Sequence, residues 1–214
     1  MKSRNWMNQK PAIKGLYAIT PDSTDTPELL RRTRLVLSGG ASALQYRNKL
    51  ADAGLRLQQA TALRDLTREF SVTFIVNDDA QLAVQVDADG VHLGEADGEL
   101  KAARTLLGAD KIIGVSCYNQ LSLAQEAVAA GADYVAFGAF YPSSVKPDAV
   151  RAEVVLLHQA RVRFSVPLVA IGGITLGNAG ALLEAGADSL AVISALFYAE
   201  NCKTAAQNFS RLFI

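Results

Sequence analysis

Three side chains in the stretch Leu44-Gln45-Tyr46-Arg47-Asn48-Lys49 have the types and spacing to hold an anion. Alternate residues of an extended strand point to one side, so Gln45, Arg47 and Lys49 present an amide, a guanidinium and an ammonium together. Such a trio suits phosphate, for which arginine offers paired N–H donors and lysine a point charge. The plain alternative is a polar strand end with a solvated lysine. A second cluster, Asn77-Asp78-Asp79, stands before an apolar helical pattern at 80–86. Asx residues at such a junction cap the helix, yet one of the carboxylates could project as a metal ligand. Asp97, in Gly94-Glu95-Ala96-Asp97-Gly98, is either the cap of a helix at 99–106 or a second carboxylate. Two carboxylates with substrate phosphates are a usual way to hold Mg2+, which keeps several of its waters.

Two further stretches fit phosphate chemistry. Gly172-Gly173-Ile174-Thr175 and Ile193-Ser194-Ala195 read as a cradle in which paired glycines let the backbone approach a ligand closely. Their plain reading is an ordinary strand-to-helix turn. The stretch Gly138–Asp148 is long for a turn, is rich in small hydroxyls and carries Lys146. That is the composition of a lid bearing a cation, or of a plain surface loop. His92 falls inside a strand pattern and reads as a core residue, and His158 lies on the back of a helix with no role assigned. Cys117 and Cys202 form no ligand spacing and suit a reducing compartment. With no histidine placed to activate it, Cys117 reads as an inert buried thiol.

The elements that must carry these groups are eight short apolar runs at 15–19, 41–46, 72–76, 90–93, 112–115, 134–137, 167–171 and 189–192. Nearly all the residues named above as ligands lie at or just past one of their C-terminal ends, as does Ser116. In a closed (β/α)8 barrel those ends share one face, where the active site of that architecture sits. Helical spacing at 50–69, 121–130 and 178–185 fills the intervals, and the strand runs are near-continuously apolar, as when both faces are covered. Gly39-Gly40, Gly131 and Gly186 read as left-handed helix caps. An open doubly wound sheet would carry a Gly-rich fingerprint after its first strand, and 16–22 has none. The expectation is an α/β fold, a single (β/α)8 TIM barrel over 15–214, preceded by a flexible leader at 1–14, with Met7 as an alternative start.

Composition agrees and narrows the function. The chain has 214 residues, 50% hydrophobic and 20% charged, enough for one barrel with a sizeable core. Lys+Arg and Asp+Glu both number 21, which predicts no steering toward nucleic acid or an anionic membrane, so any charge chemistry is local. No apolar run reaches the roughly 18 residues that a membrane span needs, and no signal peptide pattern opens the chain. These features read as a cytoplasmic enzyme acting on small molecules. Oligomeric state is left open, with room for a homo-oligomer.

Taken in order, Leu16-Tyr17-Ala18-Ile19-Thr20-Pro21, Gln45-Tyr46-Arg47-Asn48-Lys49, Val76-Asn77-Asp78-Asp79, Ala88-Asp89-Gly90-Val91-His92-Leu93-Gly94, Gly114-Val115-Ser116, Gly131-Ala132-Asp133-Tyr134-Val135 and Ile171-Gly172-Gly173-Ile174 resemble the thiamine phosphate synthase family. The resemblance covers the chain from Leu16 to about Phe197. It implies a (β/α)8 barrel that joins 4-amino-5-hydroxymethyl-2-methylpyrimidine diphosphate to a thiazole phosphate, giving thiamine phosphate and diphosphate. It further implies that Gln45, Arg47, Lys49 and Asn77 grip the diphosphate, with Ser116 and Lys146 near it. Asp78 and Asp97 would hold Mg2+, leaving Asp79 as the cap. Ser143, Gly173, Ile193 and Ser194 would line the thiazole-phosphate side. The chain departs from the family pattern at Glu95 and Ala96, where Gln and Glu are usual. Val145 replaces a threonine before Lys146, and Cys117-Tyr118 replaces Thr-His.

Two other functions compete. Thiazole tautomerase relatives share the fold but tend to lose the diphosphate grip and to carry a histidine near the fifth strand exit. This chain keeps Arg47, Lys49, Asp78 and Asp97 and has no histidine beside Ser116 in sequence. A non-catalytic binder of phosphate ligands is the other; Val145 and Ala96 favour it, and Lys146 with both carboxylates opposes it.

Overall fold

Eight parallel strands close on themselves in sequence order, β1 pairing with both β2 and β8. The computed structural model describes Lys10 and residues 12–94, 97–142 and 150–214, without the side chains of 97–99. The strands are β1 (Gly15–Ile19), β2 (Ala43–Tyr46), β3 (Thr73–Asn77), β4 (Gly90–Leu93), β5 (Ile112–Tyr118), β6 (Tyr134–Phe137), β7 (Leu168–Ile171) and β8 (Ser189–Val192). Around them run α1 (Thr26–Ser38), α2 (Ala53–Phe70), α3 (Ala80–Gln85), α4 (Asp97–Leu107), α5 (Leu121–Ala129), α6 (Val155–Arg163), α7 (Leu176–Glu184), α8 (Ser194–Phe197) and α9 (Cys202–Ser210). The expected (β/α)8 barrel is the observed one. Among the described residues, no helix is long and apolar enough to cross a membrane.

Strand alternation divides the barrel into two cores. Leu44, Phe74, Val91, Ile113, Val135, Phe137, Leu168 and Leu190 face outward and pack with the helices. Tyr17, Ile19, Ala43, Ile75, Ile112, Tyr134, Ala136, Val169 and Ala191 face inward and fill the barrel itself, with Ile13 buried among them. Gly114 sits on the inward phase of β5 because a Cβ there would come within 1.9 Å of the Tyr134 ring. Residues 1–9 and 11 of the expected leader lie outside the described residues, while Lys10 pairs with Asp133 at 2.6 Å.

A repeated device ties the N-terminal end of the barrel. Asp89, Asp133 and Asp188 each stand just before β4, β6 or β8. Each accepts the backbone N–H of the preceding strand, from Phe74, Ile113 and Leu168, at 2.8 Å. Each also pairs with an arginine from α2, α4 or α6: Arg64 at 2.8 Å, Arg104 at 2.6 Å and Arg161 at 2.7 Å.

Several boundaries differ from the sequence reading, each for a local reason. Helix α2 starts at Ala53 because the Asp52 side chain caps it through the Leu55 N–H. Strand β5 continues to Tyr118 through an irregularity between Ser116 and Tyr118. Helix α4 opens at Asp97 itself, two residues before the expected start, so Asp97 does not precede it as a cap. Gly40, Gly131 and Gly186 have the expected positive φ, but Gly39 does not, with φ −85°. Gly39 serves close packing instead, since a Cβ there would lie 2.5 Å from that of Ala206 on α9.

Candidate active site

A cavity of about 710 Å³ opens at the C-terminal ends of the strands. One wall is polar, with Gln45, Arg47, Asn77, His92 and Ser116; the opposite wall carries Gly172, Gly173, Ile193 and Ser194. The strand exits therefore do converge. Gln45, Arg47, Asn77, Ser116, Gly173, Ile193 and Ser194, which the sequence singled out from separate stretches, lie on one concave surface.

Arg47 is held from two sides. Its backbone N–H donates to Thr20 Oγ1 at 2.8 Å, and that hydroxyl donates back to the Arg47 carbonyl at 2.9 Å. Its guanidinium meets Asp22 at 3.1 Å, with only 13% of the arginine side chain exposed. Asp22 also accepts the Lys49 N–H at 2.6 Å, which fixes the start of the loop after β2. Beneath that loop, Asn48 donates to the Ser23 carbonyl at 2.6 Å and to Gln59 Oε1 at 2.9 Å, and Tyr46 donates to the same amide oxygen. Buried polar groups satisfied in this way hold a loop in one conformation. Lys49 stands apart at the rim, half exposed and 3.7 Å from Asp78. The expected trio is thus Gln45 and Arg47 in the cavity wall with Lys49 at its edge.

The two neighbouring aspartates separate into different tasks. Asp79 caps α3, accepting the Leu82 N–H at 2.9 Å. Asp78 adopts a left-handed φ of 60°, tolerated best by Gly, Asn and Asp. Its N–H is bonded to the His92 carbonyl at 2.8 Å, and its exposed carboxylate accepts from Asn77 Nδ2 at 2.7 Å. The carboxylate is left at the rim, a hard oxygen donor of the kind Mg2+ takes. Among the described residues, no three His, Cys, Asp or Glu side chains gather around a common point. Ser143, Lys146, Glu95, Ala96 and Val145, and the Asp97 side chain, lie outside the described residues.

On the opposite wall, Gly172 and Gly173 carry φ of 105° and 62°. A Cβ at Gly173 would fall 2.2 Å from the Pro142 carbonyl oxygen, so only glycine lets the loops after β6 and β7 meet. Ser194 opens the short helix α8.

One correction concerns a residue that reads as bland in sequence. His92 is buried, 8% exposed, but in the cavity wall and not in an apolar core. Its ring nitrogens lie 2.8 Å from Tyr134 Oη and 2.8 Å from Ser116 Oγ. A histidine therefore does stand beside Ser116, brought from the neighbouring strand, and its absence in sequence carries no weight against an isomerase. Cys117 faces the helix layer, and burial pushes its thiol up to about 12. It is inert, as expected. Sequence reasoning missed Tyr17, Tyr134, Thr20 and Asp22. The first two were legible as hydroxyl-bearing residues on the inward phase of β1 and β6.

Comparison with known proteins places this geometry. The family model for thiamine monophosphate synthase matches residues 16–196. The chain is 57% identical over 203 residues to a thiamine-phosphate synthase of Methylobacillus flagellatus, covering 95% of this chain and 97% of that protein. It is 53% identical over 201 residues to that of Nitrosomonas eutropha, covering 94% and 95%. A solved thiamine phosphate pyrophosphorylase from Pyrococcus furiosus superposes with a TM-score of 0.83 at 35% identity, covering 93% of this chain and 95% of that one. With Gln45, Arg47, Asn77 and Ser116 from separate strand exits on one wall, and close relatives over almost its whole length, this chain belongs to the thiamine monophosphate synthase family.

Proposed function

We propose that the protein is a cytoplasmic thiamine-phosphate synthase that joins 4-amino-5-hydroxymethyl-2-methylpyrimidine diphosphate to a thiazole phosphate. The observation that carries this reading is one cavity with two anion-compatible walls, Gln45, Arg47, Asn77 and Ser116 facing Gly172, Gly173 and Ser194, in a chain so similar to named synthases. Asp78, Arg47 and Lys49 are also the groups that tautomerase relatives tend to lack, so they carry the distinction that the histidine count does not.

The reaction asks the protein to stabilise a departing diphosphate while the pyrimidine methylene carbon becomes cationic, and then to present the thiazole nitrogen to that carbon. Arg47, fixed by Asp22 and Thr20, is a preorganised cation aimed into the cavity, which lowers the barrier without reorganisation at the moment of reaction. Asn77 and Ser116 add neutral donors on the same wall. The rim carboxylate of Asp78 fits Mg2+, and Asp97 is its proposed partner. When bound, the ion supplies further neutralisation of diphosphate charge. The Gly172-Gly173 wall brings the second substrate's phosphate beside the first, so the bond forms between neighbours. Apolar Ile19, Val169, Ile171 and Ala191 line the interior and limit the water that would trap the cation. Lys146 and Ser143 complete the proposed set, from the diphosphate and thiazole sides respectively.

The direct test measures diphosphate release from the pyrimidine diphosphate, with and without thiazole phosphate and Mg2+. Release that needs both, with thiamine phosphate accumulating, is the expected result. Tight Mg2+-dependent binding without release would mark a barrel that binds but does not turn over.

A further inference from the structure

Five side chains on the barrel interior form one unbroken hydrogen-bond chain that begins and ends in the cavity. Gln45 Nε2 donates to Tyr17 Oη at 2.9 Å, and the phenol oxygens of Tyr17 and Tyr134 lie 2.9 Å apart. Tyr134 Oη is 2.8 Å from His92 Nδ1, and His92 Nε2 is 2.8 Å from Ser116 Oγ. Gln45, Tyr17, Tyr134 and His92 are all buried, and the Tyr134 and His92 rings stack with centroids 5.5 Å apart. Burial also holds both phenols protonated far above the usual tyrosine range, so neither breaks the chain by ionising near neutral pH.

With the imidazole neutral, one proton on every link and both phenol protons used inside the chain, two polarities are possible. Each phenol has one proton to give, and a neutral imidazole has one N–H. With Gln45 donating, the Tyr17 proton goes to Tyr134 and the Tyr134 proton to His92 Nδ1. The imidazole then carries its hydrogen on Nε2 and donates it to Ser116 Oγ, leaving the serine proton for the cavity. If Gln45 turned its amide to accept, every bond would reverse, and Ser116 would spend its proton on His92 and show the cavity a lone pair. A diphosphate oxygen only accepts, so the first polarity matches the substrate and the second opposes it.

We infer that Tyr17, Tyr134 and His92 are positioning residues that fix Ser116 as a hydrogen-bond donor to the diphosphate, with the Gln45 amide setting the direction of the chain. The inference deepens the synthase reading and rests on it for the identity of the diphosphate. It also ties the two ends of the polar wall together, since contact at the Gln45 end sets the chemistry at the Ser116 end.

The chain has two histidines, so uniformly 15N-histidine-labelled protein gives two imidazoles, separable with His158→Gln. Long-range 15N–1H spectra of the ligand-free protein are expected to show His92 protonated on Nε2. Tyr134→Phe removes the donor at Nδ1 and is expected to shift that imidazole toward a tautomer mixture. In parallel, affinity for inorganic diphosphate with Mg2+ is expected to fall about tenfold in Ser116→Ala, as for loss of a hydrogen bond to a charged group. Tyr134→Phe is expected to weaken it in the same direction by a smaller factor, and the double variant no further than Ser116→Ala, because both act through one hydroxyl. Tyr17→Phe breaks the same chain one link earlier and serves if Tyr134→Phe does not fold. Nδ1-protonated His92 in the wild type overturns the polarity. A Tyr134→Phe loss that persists at full size in the Ser116→Ala background overturns the route. Failure of the wild type to bind diphosphate strikes the synthase reading instead, and the tautomer measured without ligand still decides the chain.

Discussion

The two aspartates after β3 show how one residue's backbone assigns chemistry to its side chain. Asp79 spends an oxygen on the Leu82 N–H, whereas the left-handed turn at Asp78 swings its carboxylate to the rim beside Asn77 and Lys49. Sequence supplied both readings for the pair, because either residue type suits a cap or a ligand. Only the φ at Asp78 and the hydrogen bond at Asp79 separate them. Asp78→Asn keeps a side chain that tolerates positive φ while deleting the charge. It is expected to abolish Mg2+-dependent diphosphate release with little change in melting temperature. Asp79→Ala is expected to cost about 1 kcal/mol through the lost cap, a fall of roughly 2–4 °C for a chain of this size, with release retained at subsaturating Mg2+. Loss of release in folded Asp79→Ala and its survival in Asp78→Asn would reverse the assignment. His92 is the residue where sequence reasoning failed outright. Its place in a strand suggests core, yet the inward phase of β4 puts it in the cavity, beside a serine distant in sequence.

At the scale of elements, strand positions were legible because a barrel strand buried on both faces is an apolar run bounded by turn residues. The runs at β1, β4, β6 and β8 have the bounds that sequence predicts. What sequence missed came from side chains acting on backbone. The cap at Asp52 delays α2, and the irregular pairing near Ser116 lengthens β5. Helix α9 seats its Ala206 against Gly39 at the end of α1, a contact that sequence does not reveal. The Asp–Arg ties at the strand entrances were equally hidden, although the two Ala-Gly-Ala-Asp phrases contain two of the three aspartates, Asp133 and Asp188. Each tie satisfies a strand N–H and an arginine at once, so Asp188→Ala leaves the Leu168 N–H and Arg161 Nη1 without their acceptor, while Arg161 Nη2 keeps the Phe164 and Val166 carbonyls. The expected loss is about 1–3 kcal/mol, seen as a lower urea midpoint at unchanged slope. Asp65→Ala, which removes only an exposed pairing with Arg68 on the same helix, is expected to move stability by less than about 0.5 kcal/mol. Equal effects of the two substitutions would show that the ties contribute no more than a surface pair. Activity is expected to survive in both, because these carboxylates sit at the end of the barrel opposite the cavity.

Across the whole molecule, the Asp–Arg ties and the cavity occupy opposite ends of the barrel, the arrangement in which stability and chemistry are separated. Between them lies a barrel interior that is not wholly apolar, and this has a consequence for the response to alkali. Burial raises the Tyr17 and Tyr134 phenols far above the ordinary value of 10.0, lifts the Tyr46 phenol to about 12, and pushes the Cys117 thiol from 9.0 up to about 12. In the unfolded chain these groups ionise near their ordinary values, whereas in the folded protein they keep their protons. Between those limits the native state binds more protons than the unfolded one, so stability must fall as pH rises. The contribution is fully present below about pH 9 for the thiol and about pH 10 for the phenols. It is then lost on the way to the folded-state values, at a limiting slope of about 1.4 kcal/mol per pH unit for each group. Thermal melts from pH 8 to 11 are therefore expected to be flat at first and then to drop steeply, reversibly if the exposure is brief. Tyr17→Phe/Tyr134→Phe removes two of the four groups while keeping both rings, so its melting temperature starts from a different value but declines less steeply above pH 10. An equally steep decline in the double variant would place the alkaline sensitivity elsewhere. A shallower one would tie it to the same two hydroxyls that carry the hydrogen-bond chain from Gln45 to Ser116.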